Sequence, residues 1–210
     1  MDTTSLHTQT IKDLLNRPLS EKFHKTDRSK IEIQNFGKED EKLPIFYNFY
    51  TTKLGEILIA STDKGICQIS FFDEEESAIH ELKQNFPKSK LLQDEHSFHQ
   101  SALPYFNTKT PPHSLKFHLK GTPFQLKVWK KLLEIPYGQI VSYRDIAESI
   151  GKSSASRAVG SAIGKNNLAY IIPCHRVVNT SGQLSNYRWG GLRKSDLIKG
   201  EIFKTISNRT

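Results

Sequence analysis

Residues 122–164 read TPFQLKVWKKLLEIPYGQIVSYRDIAESIGKSSASRAVGSAIG, and this stretch decides the fold. Thr122 is placed to cap a helix, Pro123 fits the first helical position, and Gln125 completes a capping box. Phe124, Val128, Trp129, Leu132 and Leu133 then share one apolar face at helical spacing. Pro136-Tyr137-Gly138 breaks the helix. Ser142, with Asp145 three residues on, opens a second helix whose Ile146, Ala147 and Ile150 face inward, and Gly151 ends it. After Lys152-Ser153 a third helix runs to about Ile163 and stops at Gly164. Two short helices joined by a tight turn containing Gly form a helix-turn-helix. Its second helix, SSASRAVGSAIG, holds mostly Ser, Ala and Gly, and Arg157 is its one long side chain. A core helix would be richer in Leu, whereas small side chains let a helix backbone approach a partner closely, so docking onto DNA is the favoured reading.

From Ile45 the chain reads as β-structure. Ile45, Phe46, Tyr47, Phe49 and Tyr50 make an aromatic strand-like run, Leu54-Gly55-Glu56 a turn, and Ile57 to Ala60 a second strand. Thr62-Asp63-Lys64-Gly65 is a second turn and Ile66 to Phe72 a third strand, which predicts a β-meander with Gly-bearing hairpin turns. A helix from Glu74 to Asn85 follows, with Ile79, Leu82 and Phe86 on one face and Pro87 as its stop. The acidic run Asp73 to Glu76 suits the positive end of its dipole. Residues 88–120 are mixed, with Pro111-Pro112 as a connector and Leu115, Phe117 and Leu119 alternating as a short strand. Residues 1–43 are polar and sparse in apolar side chains, which predicts a poorly ordered extension with a short helix from Ile11 to Asn16, stopped before Pro18. The expected division is therefore an extension at 1–43, a small α+β domain with its connector at 44–112, and a mainly helical domain at 113–210. The fold class is α+β.

The chain has 210 residues, 36% hydrophobic and 25% charged, which excludes collagen-like and low-complexity classes. No apolar run approaches the ~20 residues of a membrane-spanning helix, and the N-terminus lacks the basic leader and apolar core of a signal peptide. A cytoplasmic location, or a nuclear one in a eukaryote, is expected, with no membrane contact. Two cysteines, Cys67 and Cys174, are too few for a disulfide scaffold or a Cys-based structural zinc site. The net charge of +8 is uneven: residues 121–210 hold fourteen Lys/Arg against five Asp/Glu, while 1–43 hold eight of each and 44–120 eight against nine. Such asymmetry points to a polyanion, nucleic acid first, with a basic solubilising surface as the plain alternative.

The sharpest chemical signal is Ile171-Ile172-Pro173-Cys174-His175-Arg176-Val177-Val178, an apolar strand running into Pro-Cys-His-Arg. A thiol beside His and Arg sits in electropositive surroundings, which lower its pKa and raise the thiolate fraction. Cys67, between Ile66 and Gln68 in an expected strand, reads instead as a small buried hydrophobe.

Pro173-Cys174-His175-Arg176 resembles the acceptor motif of the O6-alkylguanine-DNA alkyltransferases, also called methylated-DNA–protein-cysteine methyltransferases. The resemblance extends over Gly121-Thr122-Pro123-Phe124, Ile135-Pro136-Tyr137-Gly138, Val141-Ser142-Tyr143, Ser156-Arg157-Ala158-Val159-Gly160, Asn166 and Tyr187-Arg188-Trp189-Gly190-Gly191. The meander and helix at 45–110 resemble the family's N-terminal domain, which implies a ribonuclease-H-like unit followed by the helical one.

This resemblance implies DNA repair by one irreversible, stoichiometric transfer of the alkyl group from O6-alkylguanine to Cys174; whether O4-alkylthymine is also a substrate the sequence leaves open. Only a thiolate attacks well. His175, through a water, and Glu201 would take the thiol proton, and Tyr143 would protonate the leaving guanine. Asn166 would hold the turn between the recognition helix and the active-site strand. By its own sequence context Glu201 is merely an acidic residue on a C-terminal helix with Leu197, Ile198 and Ile202 on its apolar face. A base stacked in a duplex lies beyond a fixed thiol's reach, so the nucleotide must be flipped out. The family lays its helix-turn-helix in the minor groove and fills the gap with an Arg. Arg157 matches that Arg, and Ser154, Ala155, Ser156, Ala158 and Gly160 are the close-contact positions around it. Tyr187 and Arg188 map to the loop over the base pocket, which Pro173 also lines, and carbonyls near Val177 and Cys174 would accept from guanine's amino edge. Other Lys and Arg of 121–210 would meet phosphates. The expected partner is double-stranded DNA containing O6-alkylguanine, met by a monomer without cofactor or metal.

Some positions depart from the family. Asn186 stands where many bacterial members carry Gly, which bears on the pocket loop and on bulky alkyl groups. Cys67 is the only cysteine of the N-terminal domain, and the eight His show no ligand spacing, which argues against the structural zinc of some members. Residues 1–43 match nothing in the family. Other functions compete. A damage sensor of the alkyltransferase-like class would replace the acceptor Cys, commonly with Trp. A helix-turn-helix regulator would read bases through several long polar side chains. A thiol hydrolase needs Cys and His in direct contact, whereas neighbours on a strand point to opposite faces.

Overall fold

The computed structural model describes residues 11–23, 31–108 and 114–207. In chain order they form a helical segment at 11–15 (α1), α2 (Leu19–Lys22), β1 (Ile31–Asn35), β2 (Ile45–Thr52), β3 (Gly55–Thr62), β4 (Gly65–Phe71) and α3 (Glu75–Asn85). Then come β5 (Leu91–Gln93), α4 (Ser97–Thr108), β6 (Leu115–Leu119), α5 (Pro123–Leu132), β7 (Val141–Ser142), α6 (Tyr143–Ser149), α7 (Ser156–Gly164), β8 (Val177–Val178) and α8 (Gly191–Ser207). Two compact units result, one within Met1–Thr26, Pro123–Asn166 and Ile172–Thr210, the other within Asp27–Thr122 and Asn167–Ile171.

The second unit is a sheet of six strands in the order β1-β6-β4-β3-β2-β5. Its centre is the expected meander, β2 to β4, antiparallel throughout. Gly65 earns its place in the β3–β4 turn: its φ is +155°, and a Cβ there would sit 2.7 Å from the Lys116 carbonyl oxygen. Leu58, Ala60, Cys67, Leu82 and Phe86 build the core under the sheet. Cys67 is the buried hydrophobe it reads as, 1% exposed, and burial pushes its thiol pKa up. Residues 167–171 join this unit: Ile69 N–H donates to Asn167 O at 2.7 Å, and Ala169 N–H donates to Ile69 O at 2.9 Å.

Two boundaries differ from expectation. Leu115–Leu119 pairs in parallel with Ile31–Asn35 inside the sheet, so the helical unit resumes at Pro123 rather than at 113. The expected extension at 1–43 is divided between the units. Its Ile31 and Ile33 alternate too briefly to announce a strand, and β6 completes them. Asp40 is then buried, accepting from the Lys64 ammonium at 2.6 Å and lying 3.2 Å from His118 Nε2. Residues 11–23 belong instead to the helical unit. The Pro111-Pro112 connector, like residues 1–10 and 24–30 of the extension, lies outside the described residues. Helix α4 went unread because Pro104 sits inside it among His, Gln, Ser and Asn.

In the helical unit, α5 buries Val128, Trp129 and Leu132, and the Trp129 indole N–H donates to the Ala162 carbonyl of α7 at 2.8 Å. The expected cap of α6 is present in full. Ser142 Oγ accepts from the Asp145 N–H at 3.1 Å, and Asp145 Oδ2 accepts from the Ser142 N–H at 2.7 Å. The parallel pair β7–β8 aligns Val141 with Val177 and Ser142 with Val178. This ladder ties the start of α6 to the chain just beyond Cys174. Among the described residues no helix is long and apolar enough to cross a membrane.

Candidate functional site

Cys174, His175 and Arg176 do not lie on a strand. They form one 3-10 turn that opens after Pro173 and closes with the Val177 N–H donating to the Cys174 carbonyl. Successive side chains in such a turn diverge by roughly 120°, and all three are buried. The thiol therefore faces one set of partners while His175 and Arg176 face another. The expected strand failed because Pro173 carries no N–H for a ladder.

The thiol's partner is Asn166, which ends the turn after α7. Its amide Nδ2 lies 3.2 Å from Cys174 Sγ and donates to the Ile172 carbonyl at 3.1 Å. One side chain thus fixes the backbone leading to the turn and touches the sulfur. Burial pushes the Cys174 pKa above its ordinary value, while the Asn166 amide, Lys194 and Arg188 pull it back. The electropositive surroundings read from the sequence are real, but their source differs. Arg176 is committed elsewhere, and Lys194 and Arg188 come from twenty and fourteen positions downstream.

Arg176 and His175 converge on Glu201 of α8. Glu201 Oε1 accepts from Arg176 Nη2 at 2.9 Å and lies 2.9 Å from His175 Nε2. Oε2 accepts from Arg176 Nε at 2.8 Å and from the Gly138 N–H at 3.1 Å. Four donors fill the four lone-pair directions of this carboxylate. Burial would raise its pKa, but Arg176 and His175 outweigh burial and hold it at about 2. An ionised carboxylate only accepts, so His175 must donate through Nε2–H, which leaves Nδ1 as the acceptor of the neutral ring. Burial keeps the ring neutral by lowering its pKa, against the opposing pull of Glu201. Position 138 suits glycine: its φ is +73°, and a Cβ there would collide with the Thr205 side chain.

A second buried cation of the site, Lys194, was not singled out by sequence reasoning. It is 1% exposed, and its ammonium donates to the Val177 carbonyl at 2.7 Å and to Ser185 Oγ at 2.9 Å. Burial lowers its pKa to about 8, with Cys174 pulling the other way. Ser185 Oγ is in turn 2.5 Å from the Tyr143 hydroxyl. The signal was available: Lys194, Leu197, Ile198, Glu201 and Ile202 fall at i, i+3, i+4, i+7 and i+8, one face of α8. Ser185 carries no such signal, because loop position is set by the fold. The Val177 carbonyl, expected to meet a base, already holds one partner, and the Cys174 carbonyl accepts within the turn.

The remaining residues fall as follows. Arg157 is exposed on the first turn of α7, with Ser154 and Ala158 also exposed and Ala155 and Ser156 half-buried. Gly160 faces inward instead: a Cβ there would lie 3.6 Å from the Tyr143 ring. Tyr187 stacks edgewise on Trp189 at 5.3 Å, and Arg188 donates to the Asn166 carbonyl at 3.2 Å. The loop after β8 is thereby tied to the residue that touches the thiol. Asn186, just before Tyr187, is exposed. The structure thus brings together Cys174, Asn166, Tyr143, His175 and Glu201 with Lys194 and Ser185, while Arg157 stays on the surface.

Comparison with known proteins gives matches along most of the chain. Residues 123–202 match the model for the 6-O-methylguanine DNA methyltransferase DNA binding domain, and residues 45–119 match its ribonuclease-like domain. The chain is 40% identical over 171 residues to the bifunctional transcriptional activator/DNA repair enzyme Ada of Escherichia coli, covering 80% of this chain and 48% of that protein. It thus spans about half the length of that relative. With the methylated-DNA–protein-cysteine methyltransferase of Methanosarcina barkeri it shares 38% identity over 157 residues, 75% of this chain and 97% of the relative. Among solved structures, the O6-methylguanine methyltransferase of Mycobacterium tuberculosis superposes with a TM-score of 0.62 at 33% identity, covering 76% of this chain and 93% of that one. Mycobacterium tuberculosis OGT in complex with DNA gives the same score at 31% identity, covering 76% and 94%.

Proposed function

Because the chain belongs to the 6-O-methylguanine DNA methyltransferase family, we propose that it repairs O6-alkylguanine in duplex DNA by moving the alkyl group onto Cys174 in a single irreversible turnover. One observation carries this reading: the buried Cys174 sulfur, held by the Asn166 amide, lies in the same turn as a His175 whose tautomer is fixed by Glu201.

The raised pKa leaves the resting thiol protonated near neutral pH. Proton removal falls to His175, whose Nδ1 is the acceptor, with water as the carrier between them. Glu201 favours the imidazolium that forms. The thiolate, steadied by Lys194, Arg188 and the Asn166 N–H, then attacks the alkyl carbon. A sulfur–carbon bond forms, the carbon–O6 bond breaks, and the electron pair leaves on guanine. Tyr143 supplies the proton that guanine needs. Lys194 can only donate, so Ser185 accepts from it, and in the arrangement where Ser185 gives its own hydrogen to the Tyr143 oxygen the Tyr143 proton stays available to the base.

Helices α6 and α7 are the DNA-binding pair, entering the minor groove with Arg157 filling the space of the flipped nucleotide. Ser154, Ala155, Ser156 and Ala158 allow the close approach, while Gly160 serves the packing of Tyr143. Pro173 and Tyr187 line the base pocket, and one monomer suffices. The test is the intact mass after incubation with a duplex carrying one O6-methylguanine. A gain of about 14 Da on Cys174, with no second turnover, is expected for covalent capture of one methyl group. DNA binding without a mass gain would make the protein a sensor or regulator.

A further inference from the structure

Residues 11–23 lie outside both family-matched stretches, yet they pack on the unit that carries Cys174. Leu14 is 7% exposed and shares an apolar cluster with Ile140, Val178, Ile198 and Ile202. Val178 pairs with Ser142 in the β7–β8 ladder, and Ile198 and Ile202 stand on either side of Glu201 on α8. The Leu14 carbonyl accepts from Gln139 Nε2 at 3.2 Å, and Arg17 Nη1 donates to Gln139 Oε1 at 3.2 Å. Gly182, in the turn that leads from β8 to Ser185, lies beside Ile11 and Leu15. Finally the Lys22 ammonium, itself buried, is 2.9 Å from Asp145 Oδ1. The other oxygen of that carboxylate is the one that accepts from Ser142 and caps α6, the helix that begins with Tyr143.

Two opposite charges withdrawn from water are stable only when each keeps its partner. Lys22 therefore holds Asp145 in the orientation that caps α6. The segment touches four elements that present working groups: α6 for Tyr143, β8 for the Val177 carbonyl, α8 for Glu201 and Lys194, and the turn before Ser185. We propose that residues 11–23 are an in-chain clamp that positions Tyr143 and the β7–β8 pair for alkyl transfer, with Lys22 as its positioning residue. The clamp's role in transfer rests on the repair reading above.

The full-length protein, Lys22→Met, Lys22→Arg and Leu14→Ala serve as the test set. Amide hydrogen exchange of residues 141–146 and 177–178 is read beside single-turnover transfer from an O6-methylguanine duplex. Lys22→Met is expected to speed exchange at 141–146. It should lower the limiting transfer rate about tenfold through misplacement of Tyr143, with the half-saturating duplex concentration unchanged. Lys22→Arg should restore both. Leu14→Ala should speed exchange at 177–178 and slow transfer likewise, which keeps the test open should Lys22→Met not fold. Unchanged exchange and rate in Lys22→Met or Leu14→Ala would overturn the clamp. So would a weakened half-saturation in step with the lost rate, since the segment would then serve overall stability. A wild-type protein that takes up no alkyl group sinks the repair reading instead, and the exchange data still judge the clamp.

Discussion

Glu201 is the residue on which the buried hydrogen bonds of the helical unit converge. With four donors on two oxygens, it has no lone pair left for water, and its pKa sits at about 2 rather than 4.5. A carboxyl whose pKa falls on folding contributes stability above its unfolded pKa and loses it as the pH drops through the folded one. The wild-type urea midpoint should therefore fall between about pH 4.5 and about pH 2 through this group, and Glu201→Gln should show a shallower fall. At neutral pH the same variant strands Arg176 without its counter-charge, at a cost of about 3–5 kcal/mol. Parallel pH curves for the two proteins would remove Glu201 from the acid transition. Lys194 makes a separate prediction. Replacing it by Met removes the cation that opposes burial at the thiol, so Cys174 should react more slowly with a small alkylating reagent near neutral pH. The rate profile should shift to higher pH, and an unshifted profile would leave Lys194 as a support for the Val177 carbonyl alone.

At the scale of elements, what could be read from the sequence depended on how local its cause was. The Ser142–Asp145 cap and the meander turns rest on residues within three positions of one another; the cap forms as read, and the first turn sits at Lys53-Leu54, one residue before the expected Leu54-Gly55-Glu56, with Gly55 opening β3. The ion pair that orients Asp145 joins residues 123 positions apart, and no local pattern announces it. The two inward charges of α8 share a stripe with Leu197, Ile198 and Ile202, but hydropathy reads Lys and Glu as wet positions. Only the convergence of Arg176, Val177 and Ser185 on that stripe makes them dry. On α7 the division of faces was legible in part. Val159, Ala162 and Ile163 are buried and Arg157 is exposed, whereas Gly160 turns to Tyr143 rather than outward. This split makes Arg157 separable from the site behind it. Arg157→Ala should slow repair of duplex DNA far more than reaction with free O6-benzylguanine, because only the duplex requires a base to leave its stack. Equal losses on the two substrates would place Arg157 in the chemistry instead of in extrusion.

For the molecule as a whole, the charge count separates the two ends of the chain more cleanly than the element boundaries do. The fourteen Lys/Arg of residues 121–210 are not all available to a partner. Arg176 and Lys194 are buried in the site. Lys130 at the end of α5, Lys152 in the turn between α6 and α7, Arg157 on α7 and Lys165 at its cap are exposed. These four lie along the helix-turn-helix and its flanks. If they neutralise phosphates, each releases condensed counterions, and the logarithm of affinity falls with the logarithm of salt at a slope of about −0.9 per contact. Four contacts give a slope near −3.6, which weakens binding about a hundredfold between roughly 50 and 200 mM salt. A basic surface that serves only solubility would give a nearly flat line. Titrating undamaged duplex at several salt concentrations distinguishes the two. Lys152→Ala and Lys165→Ala should each reduce the slope by about 0.9, and should weaken damaged and undamaged duplexes by the same factor. That equality is the sharper half of the prediction: phosphate contacts carry no information about the lesion, so any preference for O6-alkylguanine must survive both substitutions intact and reside in the pocket around Cys174.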